Sequence, residues 1–176
     1  MNKTIFHNVT VELKRGDISA QDDMDAVVNA ANATLSGGGG VDGALHRAAG
    51  PELKKASQPL GPIAPGEAVI TPAFNLPNKF VIHCLGPVYG QDHPEATLLA
   101  NCYKNALRLA EDKQIQRIAF PAISAGVFGY PMEEAATVAL QTLKKEVPNL
   151  ERIQWIRIVL WSQEALTIHK RVMEKV

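Results

Sequence analysis

Cysteine is scarce: the 176-residue chain has two, Cys84 and Cys102, each inside a hydrophobic segment. Two such residues do not make a disulfide scaffold, and buried free thiols are the expectation. An excess of charge of either sign is also missing, because Lys+Arg and Asp+Glu number 18 each. That balance argues against general binding to nucleic acid backbones or anionic membrane surfaces, both of which call for a basic face. No apolar run comes near the roughly 18 residues of a membrane span. The opening MNKTIFHNVTVELKRGD has no apolar stretch leading to a small-residue cleavage site, so a cytoplasmic protein is expected. Five histidines and two cysteines are scattered without metal-ligand spacing. Internal repeats are absent, and low complexity is confined to four consecutive glycines at 37–40. What is left, 46% hydrophobic and 20% charged residues over this length, is the composition of one compact globular domain.

Short β-branched runs alternate with longer segments of helical period, a pattern that predicts α/β layers around a largely parallel sheet. Strands are expected at 10–14, 26–29, 68–71, 80–84, 117–120 and 156–160, and helices at 42–49, 95–112, 133–146 and 163–174. In the second helix Leu98, Leu99, Cys102, Tyr103, Ala106, Leu107 and Ala110 recur at three-to-four spacing, as one buried stripe requires. The stretch 57–66, SQPLGPIAPG, has three prolines and two glycines and is read as a surface loop.

Two glycine-rich loops carry the chemistry. Residues 29–50, NAANATLSGGGGVDGALHRAAG, join a strand to a helix expected to start near Asp42. Glycines at a helix start let backbone N–H groups approach a ligand, and the helix N-terminus adds partial positive charge, which suits an anion. Gly38, Gly40 and Gly43 satisfy G-x-G-x-x-G in letter only: eight residues, 30–37, separate them from the strand, and no acidic residue closes a second strand about 20 residues on. No Gly-Lys-Ser/Thr follows either, so a P-loop is not indicated. The second loop, PAISAGVFGYP at 121–131, again links a strand to a helix. Two strand–glycine loop–helix units in one small domain point to a ligand with extended phosphate character, bound at the carboxyl ends of the strands.

The segments VVNAANATLSGGGGVDGALHRAAG, GEAVIT, VIHCLGPVYG and FPAISAGVFGYP resemble the ADP-ribose-binding macrodomain family over essentially the whole chain. Within it, the NAAN, GGGGVDGALHRAAG and SAGVFGYP segments are most similar to the MacroD-type branch, which includes bacterial O-acetyl-ADP-ribose deacetylases and mono-ADP-ribosyl hydrolases. The resemblance implies a three-layer α-β-α fold, a mixed six- to seven-stranded sheet with helices on both faces, forming a single macrodomain over residues 1–176. It implies neither metal nor cofactor. Its ligands would be ADP-ribose and its esters, its partners mono-ADP-ribosylated proteins, with nucleic acid disfavoured by the zero net charge.

By resemblance, Asp17 of RGDI would accept from the adenine amine while the Ile18 N–H faces a ring nitrogen; a turn or N-cap role for Asp17 is the alternative. Trp161 would lie beside the purine, unless it packs in the core. Amides of Gly39, Gly40 and Val41 on one side, and of Ala125, Gly126 and Val127 on the other, would clamp the diphosphate without need of Lys or Arg. Ser124 precedes that second loop, and Phe128, where many relatives carry Tyr, would lie over the distal ribose. Asn32 would hold the distal ribose hydroxyls, and Asp42 would position or deprotonate a water near the anomeric carbon. An N-cap role for Asp42 stays open, and a site at the helix start would lower its pKa. A His46–His83–Cys84 nucleophile–base set is disfavoured, because neighbouring strand residues point to opposite faces. The expected enzyme removes ADP-ribose from acidic side chains or acetyl from O-acetyl-ADP-ribose; the alternative is a non-catalytic reader of ADP-ribose.

Overall fold

The computed structural model describes residues 2–176. Seven strands form one sheet in the order β1-β2-β7-β6-β3-β5-β4. β2 (Val9–Arg15), β7 (Trp155–Leu160), β6 (Arg117–Phe120), β3 (Ala26–Ala30) and β5 (Phe80–Cys84) run parallel. The edges are antiparallel: β1 (Lys3–Phe6) pairs with β2, and β4 (Ala68–Pro72) with β5. Because strand side chains alternate, each face acquires its own apolar set. Val27, Val81, Ala119 and Val159 pack under α1 (Gly40–Ala49) and α2 (Pro51–Ser57). Val28, Ile82, Ile118, Phe120, Ile156 and Ile158 pack under α3 (Glu95–Asp112), α4 (Met132–Glu146) and α5 (Gln163–Lys175). The result is the three-layer α-β-α arrangement expected, with a mixed sheet. Among the described residues no helix is long and apolar enough to cross a membrane.

Two elements were not expected from the sequence. β1 is a four-residue edge strand whose burial alternates only partly, so its pattern is weak. α2 occupies Pro51–Ser57, where Pro51 sits at the helix start, a position at which its missing N–H costs nothing. Ser57 therefore ends a helix, and Gln58–Leu60 forms a 3-10 turn, so the expected loop at 57–66 begins only at Gly61.

The sheet opens where its connections reverse. β3 leads into α1 on one face, while its neighbour β6 leads into α4 on the other. Only Ala26 with Ile118 and Val27 with Ala119 are paired across β3 and β6, so the carboxyl ends of the two strands part. A crevice at such a switch point is where α/β sheets receive ligands.

A buried arginine holds one wall of that crevice. Arg157, 3% exposed, donates Nη1 and Nη2 to both carboxylate oxygens of Asp23 at 2.7 Å, Nη1 to Gln21 Oε1 at 2.9 Å, and Nε to Glu12. Gln21 in turn donates to the Asp17 carbonyl at 2.7 Å, so the cluster braces the loop that follows β2. The guanidinium beside Asp23 holds its carboxyl down to about 2. That contribution is therefore complete above the ordinary 3.8 and fades as pH falls toward about 2. Arg157→Met leaves Glu12 buried without its strongest partner, and should lower unfolding free energy at neutral pH by roughly 3–5 kcal/mol in denaturant melts. A loss below about 1 kcal/mol would show that the cluster is replaceable by packing alone.

Candidate functional site

The loop leaving β3 is shaped by Asn32. Its Oδ1 accepts from the Ser36 N–H at 3.1 Å and the Thr34 hydroxyl at 3.3 Å, and its Nδ2 donates to the Gly37 carbonyl at 2.9 Å. α1 then begins at Gly40, with Gly39 as an N-cap that contributes no side chain. The helix thus starts two residues before the expected position, because glycine supplies the turn without a capping oxygen. Its first-turn amides have no intrahelical partner and line the crevice at Gly39, Gly40 and Val41. Gly43 is demanded by sterics: a Cβ there would lie 2.4 Å from the Gly38 carbonyl oxygen.

Two adjoining hollows share Gly40, Val41 and Gly126. The first, about 380 Å³, is lined further by Ala30, Gly39, Ala122, Ser124, Val127 and Phe128. The second, about 520 Å³, carries Asp17, Ile18, Arg47, Val159 and Trp161. Trp161 is 78% exposed, which removes the core-packing alternative. Asp17 caps the 3-10 turn Ile18–Ala20 and also faces the hollow. Its Oδ1 takes both the Ser19 N–H at 2.8 Å and the Ser19 hydroxyl at 2.7 Å, which holds its pKa below the ordinary value and leaves Oδ2 unengaged. The two readings of Asp17 are therefore compatible.

One expectation is corrected. Ala125 does not line either hollow, and its N–H already donates to the Ala122 carbonyl at 3.3 Å, so this side of the crevice offers Gly126 and Val127. Arg47 on α1 also lines the second hollow. Ser124 is buried, with φ of 65° and a hydroxyl that has no partner among the described residues.

Asp42 is the third residue of α1, not its cap, and only 5% of it is exposed. Its Oδ1 accepts from Asn29 Nδ2 at 2.8 Å, and His46 Nε2 lies 3.3 Å from the same oxygen. The other oxygen, Oδ2, is directed past Gly38: a Cβ on Gly38 would sit 3.3 Å from it and 3.9 Å from Asn32 Nδ2. Asn32 and Asp42 thus flank one strip of backbone that glycine keeps open, and neither side chain lines either hollow. Burial pushes the Asp42 pKa up, against the opposing pull of the Asn29 hydrogen bond and of His46. A lowered value was expected from the helix start; desolvation outweighs it because the carboxyl is covered.

Asn29 and His46 were not anticipated as neighbours of Asp42. The signals were present: Asn29 is the first asparagine of NAAN, on the β3 face that α1 covers, and His46 follows Asp42 by one helical turn. His83 and Cys84 do point to opposite faces, as alternation demands. Cys84 Sγ approaches the Cys102 carbonyl at 3.7 Å in the other core, where burial raises its pKa. No thiolate–imidazole pair forms. Among the described residues, no three His, Cys, Asp or Glu side chains are grouped to hold a metal ion.

The Macro domain family profile matches residues 28–139. A Macro domain-containing protein of Chlorobaculum tepidum is 45% identical over 167 residues, covering 94% of this chain and 96% of that protein. A protein of Klebsiella pneumoniae named O-acetyl-ADP-ribose deacetylase is 46% identical over 170 residues, covering 94% and 97%. Among solved structures, the Oceanobacillus iheyensis macrodomain with ADP superposes with a TM-score of 0.93 at 42% identity, covering 98% of this chain and 94% of that one.

Proposed function

The chain belongs to the Macro domain family, and from that premise we propose that it is a single ADP-ribose-binding macrodomain that hydrolyses esters of the distal ribose. Its substrates are O-acetyl-ADP-ribose and mono-ADP-ribose on acidic side chains of cytoplasmic proteins. One observation carries the catalytic half of the reading: Asp42 is a buried carboxylate with one oxygen anchored by Asn29 and the other free beside Asn32.

Adenine occupies the second hollow, between Trp161 and the Asp17–Ile18 edge, where Asp17 Oδ2 can accept from the exocyclic amine. The diphosphate crosses Gly40, Val41 and Gly126, shared by both hollows, so the first-turn amides of α1 meet its charge. The distal ribose then reaches Phe128 and the Gly38 strip. A water held by Asp42 Oδ2 attacks the ester; its proton passes to the carboxylate or to the substrate's own diphosphate. The ester C–O bond breaks, the held proton passes to the departing oxygen, and the free acid and ADP-ribose are the products. Raised by burial, Asp42 is a better base than an exposed carboxylate.

The engagement of both ends of the Asn32 amide within its own loop favours a second reading, a non-catalytic reader. Side-by-side incubation with Glu-linked mono-ADP-ribosylated protein and O-acetyl-ADP-ribose separates the two. Release of free ADP-ribose or acetate is expected, and its absence from both reactions would leave the reader.

Trp161→Ala should weaken ADP-ribose binding by ~1–3 kcal/mol in calorimetry, the scale of base–aromatic stacking. Single-turnover hydrolysis at saturating substrate should hardly change, because the indole stands in the second hollow, whose lining does not include Asp42. A slowed saturated rate with intact affinity would place the indole elsewhere in the reaction.

A further inference from the structure

The hydrolysis described above leaves a buried histidine unused. His83 lies on β5 directly opposite Asn29 in the parallel β3–β5 register, so both side chains stand on the face that α1 covers. Asn29 Nδ2 is 2.8 Å from Asp42 Oδ1 and 3.2 Å from His83 Nδ1. An amide NH2 has two protons to donate and accepts nothing, so His83 Nδ1 must present its lone pair. The ring proton is then on Nε2, which donates to Thr71 Oγ1 at 3.0 Å. The Thr71 hydroxyl in turn donates to the Pro72 carbonyl at 3.0 Å. Since a carbonyl can only accept, the direction of every bond from Pro72 to Asp42 is set.

Two further facts agree. Burial, then the charge of His46, pushes the His83 pKa down to about 3, which keeps the ring neutral with a single proton to place. Asn29 Oδ1 is buried without a partner among the described residues. Turned over, the amide would give that oxygen a place, but would press it against the Asp42 carboxylate.

We propose that His83 is a positioning residue: held in one tautomer by Thr71, it orients the Asn29 amide, which anchors Asp42 Oδ1 and leaves Oδ2 to hold the attacking water. The proposal rests on the reading of Asp42 given above. His83 itself lines neither hollow. Facing Asp42 are Asn29 from β3, His46 from α1 and the Gly38 backbone; facing His83 are Asn29, Thr71 from β4 and the His46 ring, 6.4 Å between centroids.

Three variants test it. Thr71→Val removes the acceptor for Nε2–H, and His83→Leu removes the ring, while His83→Asn restores an acceptor where Nδ1 stood. The first two should lower kcat by ~10-fold or more, the worth of one hydrogen bond to a charged group. KM and ADP-ribose affinity should stay within about twofold, and His83→Asn should recover kcat to within about threefold, since only one bond is at stake. Carbon-13 titration of the Asp42 carboxyl supplies a readout independent of turnover. Its pKa should climb further in Thr71→Val and His83→Leu, which lose the oriented donor, but not in His83→Asn. Unchanged kcat with an unmoved Asp42 titration overturns the proposal, as does a parallel loss of kcat and affinity, which would report general distortion. If His83→Leu does not fold, the near-isosteric Thr71→Val decides. A wild-type protein without hydrolysis overturns the proposed function alone, and the carboxyl titration then decides the positioning role.

Discussion

Asp42→Asn should lower turnover of the ester by ~10²–10⁴, the usual worth of general-base assistance, while ADP-ribose binds as well as before or slightly better. The substitution is near-isosteric and keeps an oxygen to accept from Asn29, so the Asn29 contact survives. What it removes is a negative charge from the neighbourhood of a diphosphate. The stability effect has a definite sign. Burial raises the Asp42 pKa, so the folded state binds that proton more tightly than the unfolded chain, and the ionised carboxylate costs stability at pH above its raised value. That cost is relieved as pH falls. Asp42→Asn should therefore leave the melting temperature at neutral and alkaline pH unchanged or higher. The acid limb of kcat/KM in the wild type, for the same reason, should lie above the ordinary carboxylate range, since only ionised Asp42 can take a proton. Hydrolysis within threefold of wild type would remove Asp42 from the chemistry.

Gly126→Glu should abolish measurable ADP-ribose binding, by at least ~100-fold, and leave the fold intact. Gly126 lines both hollows, and a Cβ there would meet nothing within 4 Å. The side chain thus fits, but it carries a carboxylate to where a diphosphate must approach backbone amides. At 4 Å and an effective dielectric of about 20, like charges repel by ~4 kcal/mol, enough for that loss. Melting should shift by no more than about 2–3 °C, as for other exposed substitutions. Gly126→Ala is the control and should bind nearly normally, because it adds bulk without charge. Weakened binding by the alanine variant would mean that shape and not charge governs this wall; a collapsed melting temperature in the glutamate variant would contradict the open space around Gly126.

Much of the molecule was legible in one dimension because local periodicity and glycine placement are local properties. The stripe from Leu99 to Ala110 and the β-branched runs at Ala26–Ala30 and Phe80–Cys84 have the periods of the elements they form. The glycines at 37–40 and 126 mark turns that bring backbone to a ligand, wherever the rest of the chain lies. A weak edge such as β1 and a helix begun by Pro51 escaped, because pairing with β2 and packing over Leu53 stabilise them more than their own pattern does.

The electrostatics of the site were of a different kind. Whether Asp42 caps a helix or lies under cover depends on where α1 begins and on what lies over the carboxyl, and the answer reversed the direction of its pKa. Asn29 meets Asp42 because α1 folds back over β3, and it meets His83 because β5, 54 residues further along the chain, pairs with β3 in one register and no other. Arg157 joins Glu12 and Asp23 across more than 130 residues for the same reason. Solvent exclusion and long-range hydrogen bonds are properties of the packed layers, so only the tertiary structure assigns them; the sequence supplies the residues, and the sheet order decides which of them touch.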